Sequence, residues 1–154
     1  MVAKNKKNAV KRKVESNKNA IKIENPNSIF DKTPVWKFDL LDLDHDCWSL
    51  ENCDFKASQL IRKLKHFESM KWRDIFLANG GKSRGTNNHH IPINNMIKPA
   101  QQRAKEINID VHQELFSLRF NGTERVLGVL TNGEFHMVWY DKNHEICPSS
   151  KRNT

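Results

Sequence analysis

Apolar and polar residues alternate along LFSLRFNGTERVLGVLTNGEFHMVWYDKNHEICP, from Leu115 to Pro148. A period of two is the signature of β-strands, whose successive side chains point to opposite faces. Two Asn-Gly dipeptides, Asn121-Gly122 and Asn132-Gly133, interrupt the alternation. Each suits a type I′ turn, which needs positive backbone angles at both central residues. The pattern therefore predicts a three-strand antiparallel meander. Phe116, Leu118 and Phe120 should oppose Leu115, Ser117 and Arg119, and Arg125, Leu127 and Val129 should oppose Val126, Gly128 and Leu130. In the last strand Phe135, Met137 and Trp139 should oppose His136, Val138 and Tyr140. One face is clearly apolar, and the upstream chain must supply its cover.

That upstream chain carries helical spacing. Leu60, Ile61, Leu64, Phe67 and Trp72 recur at the intervals of one helix face, with Lys56, Arg62, Lys63 and Lys65 opposite. Asp54 is a suitable N-cap for this helix, and Asp74–Ala78 can add a further turn before Gly80-Gly81. A second helix is expected around Pro99, which is comfortable in a first turn, with Ala100, Ala104 and Ile107 as its apolar stripe. Ahead of these, Val35–Asp44 alternates as a strand, with Trp36, Phe38 and Leu40 on one side. The order is strand, helix, loop, helix, then three antiparallel strands. This predicts an α+β domain over residues 35–148: a small antiparallel sheet packed on one face against two to three helices. Residues 1–34 read as a basic, disordered tail in which a short helix through Asn8–Lys22 has no core to join, and 149–154 as a short basic tail.

Charge changes the picture. The formal net charge is +8, but it is unevenly spread. Residues 1–22 carry eight Lys/Arg against Glu15 alone, residues 23–55 carry eight acids against Lys32 and Lys37, and the remainder is again basic. Basic regions of this kind attract nucleic acid, because phosphate contacts release counterions. No apolar run approaches the ~20 residues of a membrane span, and no apolar segment follows the basic N-terminus as a secretory signal requires. With only three cysteines (Cys47, Cys53, Cys147), the expectation is a cytoplasmic protein without a disulfide framework or membrane association. The set His45, Cys47, Cys53 and Cys147 has no zinc-knuckle spacing, and no cofactor is expected.

Candidate chemistry lies in a few places. His89-His90 follows the polar loop GGKSRGTNN, which lacks the order of a P-loop. Adjacent histidines do not share a face, so at most one of the two is expected in a given site. There a neutral imidazole can take a proton from a ribose 2′-hydroxyl or give one to a leaving oxygen. Arg119 and Arg125 flank the first Asn-Gly turn and, on one face, would clamp a phosphate. Tyr140 and His144 close the last strand, and His144 reads as a general acid whose pKa the neighbouring carboxylate of Glu145 raises. Lys82 and Arg84 in the glycine-rich loop, and Lys151 and Arg152 after Pro148, are candidate contacts to an RNA backbone.

The segment LFSLRF…ERVLGVL…FHMVWYDKNHEIC, set behind a strand and helices, resembles the RelE/ParE toxin superfamily. The resemblance covers residues 115–147. It implies a RelE-like fold and a type II toxin that cleaves mRNA as a metal-independent endoribonuclease, with ribosome-bound mRNA as substrate and an acidic antitoxin as partner. Arg119 and Arg125 would then hold the scissile phosphate, and His144 or Tyr140 would transfer protons. His89 or His90 is a further candidate base, argued from chemistry rather than from the family pattern. The chain departs from that family in its length, its basic extension and the Gly80–Asn88 interruption. The alternatives are a non-catalytic, phage-encoded nucleic-acid-binding protein and an interaction module using the acidic Asp39–Asp54 stretch.

Overall fold

The computed structural model describes residues 28–51, 56–78 and 87–148. Within them a five-stranded mixed sheet carries helices, an α+β fold. The predicted meander supplies β3 (Glu114–Asn121), β4 (Glu124–Thr131) and β5 (Glu134–Asp141). Two shorter strands flank it. β1 (Val35–Lys37) runs parallel to β5, and β2 (His89–Pro92) runs antiparallel to β3, giving the order β1-β5-β4-β3-β2. The sheet is thus not purely antiparallel. The N-terminal strand is also shorter than the alternation suggests, since Phe38 is half exposed and Leu40 leaves the strand to pack on the core. The His-His-Ile-Pro segment, expected as a loop, is an edge strand, where a terminal Pro removes no ladder donor that another strand needs.

The two Asn-Gly turns differ. Asn132 (φ +53°) and Gly133 (φ +87°) both take positive angles, as a type I′ turn requires, whereas in the first turn only Gly122 does. A register shift at Arg119–Asn121 moves that turn one residue on, to Gly122-Thr123.

Both faces of the sheet are covered, in contrast to the one-sided expectation. On one face α1 (Ala57–Glu68) and α2 (Trp72–Leu77) pack Leu60, Leu64, Phe67, Trp72 and Ile75 on Phe116, Leu118, Val126, Phe135 and Met137. On the other, α3 (Lys98–Glu106) lays Ala100 and Ala104 against Leu115, Leu127, Val129, Val138 and Trp139. The reason is in the strands themselves: Leu115, Leu127 and Val138 are as apolar as their opposite neighbours, so leaving either face in water is costly. Small alanines let α3 approach the sheet closely. Ile61, expected in the α1 seam, is 63% exposed, because contact is made by the 60–64–67 row alone. Asp54 and the tail helix Asn8–Lys22 lie outside the described residues; the N-cap of α1 is Lys56, whose backbone N–H donates to Gln59 Oε1 at 3.2 Å.

A bulge in β5 corrects the predicted alternation. Leu127 pairs with Trp139 but Gly128 pairs with Met137, so Val138 is the extra residue. Beyond it the side chains change face: Trp139 joins the α3 core and Tyr140 the α1/α2 core. Opposite the bulge Gly128 is obligatory, since a Cβ there would lie 2.3 Å from the His136 carbonyl oxygen and 2.8 Å from the Phe135 ring. The segment 38–51 runs beside the bulge and is pinned there. Asp42 N–H donates to Val138 O (3.1 Å) and Tyr140 N–H to Trp48 O (3.0 Å). The Asp42 carboxylate, buried under this segment, receives Arg103 Nε (2.9 Å), Arg103 Nη2 (2.8 Å) and Trp139 Nε1 (2.9 Å). Burial alone would raise its pKa; the hydrogen bonds outweigh burial and hold it at about 2.

Residues 28–34, assigned to the tail by composition, belong to the domain. They form a 3₁₀ turn at Ile29–Asp31, and Lys32 O accepts from Trp72 N–H at 2.9 Å. Trp72, fully buried, also donates from Nε1 to Gly133 O (2.9 Å), tying α2 to the second hairpin turn. No described helix is long and apolar enough to cross a membrane.

Candidate phosphate-binding site

At the end of the sheet beyond α3, polar residues replace the core. Register places them. Arg119 pairs with Arg125 and Arg125 with Asp141, so three charged side chains form a row across β3, β4 and β5. The row lies on the α3 face, because Leu127, two residues after Arg125, and Trp139, two residues before Asp141, belong to that core. His89 pairs with Ser117, one row in, and shares the α3 face with Ile91. It is therefore the diagonal neighbour of Arg119. His144 follows β5 and closes the other side.

Two like charges opposite each other on neighbouring strands repel unless something holds them. Here the backbone of the first hairpin does so. Arg119 Nε donates to Gly122 O (3.0 Å) and Arg125 Nη1 to Thr123 O (2.7 Å), while Arg119 Nη1 donates to Asn87 Oδ1 (2.6 Å). Neither Nη2 has an acceptor among the described residues. Burial and the Arg119 charge lower the pKa of Arg125, only partly offset by Asp141. A guanidinium keeps its proton regardless, so the local potential is positive and an anion would relieve it.

Asp141 is buried and serves the loop rather than Arg125. Its Oδ1 accepts from Glu145 N–H (2.9 Å) and its Oδ2 from Ile146 N–H (3.0 Å), which fixes the turn that carries His144. His144 itself sits at φ +58°, a left-handed conformation uncommon outside glycine. Thr123 Oγ1 donates to Lys142 O (2.8 Å), joining this loop to the arginine-bearing hairpin. The His144 pKa is lowered by burial first and then by Arg125, with His89 and Arg119 adding to the effect against Asp141. The imidazole is thus predominantly neutral at pH 7, in the field of both arginines and of His89.

Of the residues singled out in the sequence, Arg119, Arg125, His89 and His144 come together. His90 and Tyr140 do not. His90 points to the α2 face, 5.1 Å from the Phe116 ring and 6.0 Å from Phe76, with Nδ1 3.2 Å from Glu114 Oε1. Tyr140 is carried to the α1 side by the bulge, where its hydroxyl donates to Glu124 Oε1 (2.7 Å) beside the Lys63–Glu124 ion pair. Lys82, Arg84, Lys151 and Arg152 lie outside the described residues. His45 uses Nδ1 to accept the backbone N–H groups of Cys47 and Trp48, each at 3.1 Å, and stacks on Trp48. Among the described residues no group of three or more His, Cys, Asp or Glu could hold a metal ion.

Comparison with known proteins finds no matching family model, no similar curated protein and no similar solved structure. The site is therefore read from its own chemistry. Sequence reasoning had missed three of its parts. Asn87 orients Arg119, and buried Asn88 receives Arg119 N–H (2.8 Å) while donating to Ile75 O (2.8 Å), pinning β2 to α2. Ser117, fully buried next to His89, has an Oγ with no partner among the described residues. The asparagines were legible only as loop formers; once the histidines are known to be a strand, their position just ahead of it marks them.

Proposed function

We propose that the chain is an endoribonuclease that cleaves RNA by attack of a ribose 2′-hydroxyl on the adjacent phosphate. The observation carrying this reading is the placement of two arginines between two imidazoles, in the strand order His144, Arg125, Arg119, His89. In-line displacement at phosphorus needs a base on the attacking side, an acid on the leaving side and positive charge at the equatorial oxygens. His144, held neutral, takes the 2′-proton. The two Nη2 groups stabilise the charge that builds on the pentacoordinate phosphorus. His89 protonates the departing 5′-oxygen, leaving a 2′,3′-cyclic phosphate on one fragment and a 5′-hydroxyl on the other. The exposed basic side of α1, with Lys56, Arg62 and Lys65, adds non-specific attraction for RNA.

In the RelE/ParE-like role the substrate is mRNA, at the ribosome or free, and the protein is a growth-arresting toxin. An acidic antitoxin would then neutralise it by covering the arginines. The test compares the wild type with an Arg119→Ala/Arg125→Ala double variant, on purified RNA and by induction in cells with mRNA ends mapped. Losing charge stabilisation of this kind costs about 10²- to 10³-fold in rate per group. The double variant should fold, bind RNA more weakly and lose cleavage and arrest, while Tyr140→Phe, on the opposite face, should retain both. RNA left intact by well-folded wild-type protein, with salt-sensitive binding, would instead establish a non-catalytic nucleic-acid-binding protein.

A further inference from the structure

Arg119 lines a second feature that the cleavage chemistry does not use. Around the end of the sheet from the His–Arg row lies a cavity of about 460 Å³, between the C-terminal end of α1 and the first hairpin turn. Its floor and walls include Phe67, Met70, Phe120, His66 and Asn87. Phe120 is half-buried on β3 and stacks on Phe67, with ring centroids 6.3 Å apart and planes inclined by 28°. Lys63 Nζ lies over the Phe120 ring, 5.5 Å from its centroid. His66 is exposed at the rim, edge-on to Phe67 at 5.2 Å. Asn87 has committed its Oδ1 to Arg119, which leaves the Nδ2 amide to donate to a ligand.

Flat aromatic surface, one amide donor and an imidazole are the elements by which proteins hold a heteroaromatic ring. The distance to phosphate chemistry is short by construction, since a single side chain, Arg119, borders both places. We propose that this cavity takes the nucleobase next to the phosphate held by Arg119 and Arg125, stacked on Phe120 and hydrogen-bonded through Asn87 and His66. This rests on the RNA-cleaving reading of the His–Arg row and adds its substrate preference. A nucleobase with an acceptor on its exposed edge is selected by the Asn87 amide. The pocket also gives the arginine clamp a reason to prefer a nucleotide over inorganic phosphate.

The experiment titrates full-length protein by NMR with deoxydinucleoside monophosphates, which have one phosphate, two bases and no attacking 2′-hydroxyl. The reference ligand is the same sugar–phosphate skeleton lacking both bases. Base stacking on an aromatic side chain is worth about tenfold to a hundredfold in affinity. The dinucleotides should exceed the baseless skeleton by at least the lower figure, with shifts at Phe120 and His66. Phe120→Leu and, at an exposed position, His66→Ala should each reduce that advantage while leaving skeleton binding unchanged. Equal affinity for both ligands, or an advantage untouched by either variant, overturns the base pocket. The phosphate site is scored separately by Arg125→Ala, which should weaken both ligands alike. If it weakens neither, the phosphate reading fails, and the pocket assignment fails with it.

Discussion

Asp42→Asn should remove a defined, pH-dependent part of the stability. Asp42 is the acceptor for Arg103 and Trp139 beneath the segment that pins the β5 bulge. Its carboxyl sits at about 2 in the fold against an ordinary 3.8. A carboxylate with a depressed pKa stabilises the fold above its unfolded value and loses that contribution as pH falls through the folded value. The difference corresponds to about 2.5 kcal/mol at neutral pH, of which about half remains at pH 3. Asn keeps an acceptor for Trp139 but has no charge for Arg103, so the variant should lose about 2 kcal/mol at pH 7. The assay is urea denaturation of wild type and variant from pH 7 down to pH 3. The gap between the two stabilities should stay constant above about pH 5 and narrow steadily below about pH 4. Parallel curves over the whole range would show that the charge on Asp42 contributes nothing net, and would refute the argument.

Two further outcomes follow from the same geometry. His144 titrates below the ordinary imidazole value of 6.5, so the acid limb of the cleavage profile should lie below pH 6.5 in the wild type and move upward in Arg125→Ala, measured as kcat/KM against pH. Gly128→Ala forces a methyl into the His136 carbonyl at the bulge and should cost about 2 to 3 kcal/mol in thermal or urea denaturation.

What was legible in the sequence is what depends on neighbours in the chain. The meander follows from alternation and two turn dipeptides. The facing of Arg119 and Arg125 does not follow from them: a two-residue turn at Asn121-Gly122 would set Arg119 opposite Glu124, and it is the register shift ahead of Gly122-Thr123 that sets it opposite Arg125. The α1 seam of Leu60, Leu64 and Phe67 is a matter of helical spacing. Other features depend on pairings between residues far apart, for which local pattern carries no information. The choice of His89 over His90 required knowing that these residues form an edge strand on β3 and in which register, since a slip of one residue would exchange the two. The exclusion of Tyr140 and the position of Asp141 both turn on one extra residue in β5, Val138. That bulge is fixed from outside the strand, by Asp42 and its partner Arg103, 61 residues apart. The sequence alone thus determined the three strands of the meander and its second turn. The tertiary structure decided that Arg119 and Arg125 face each other and which imidazoles join them, because side-chain direction in a strand is set by register and bulges.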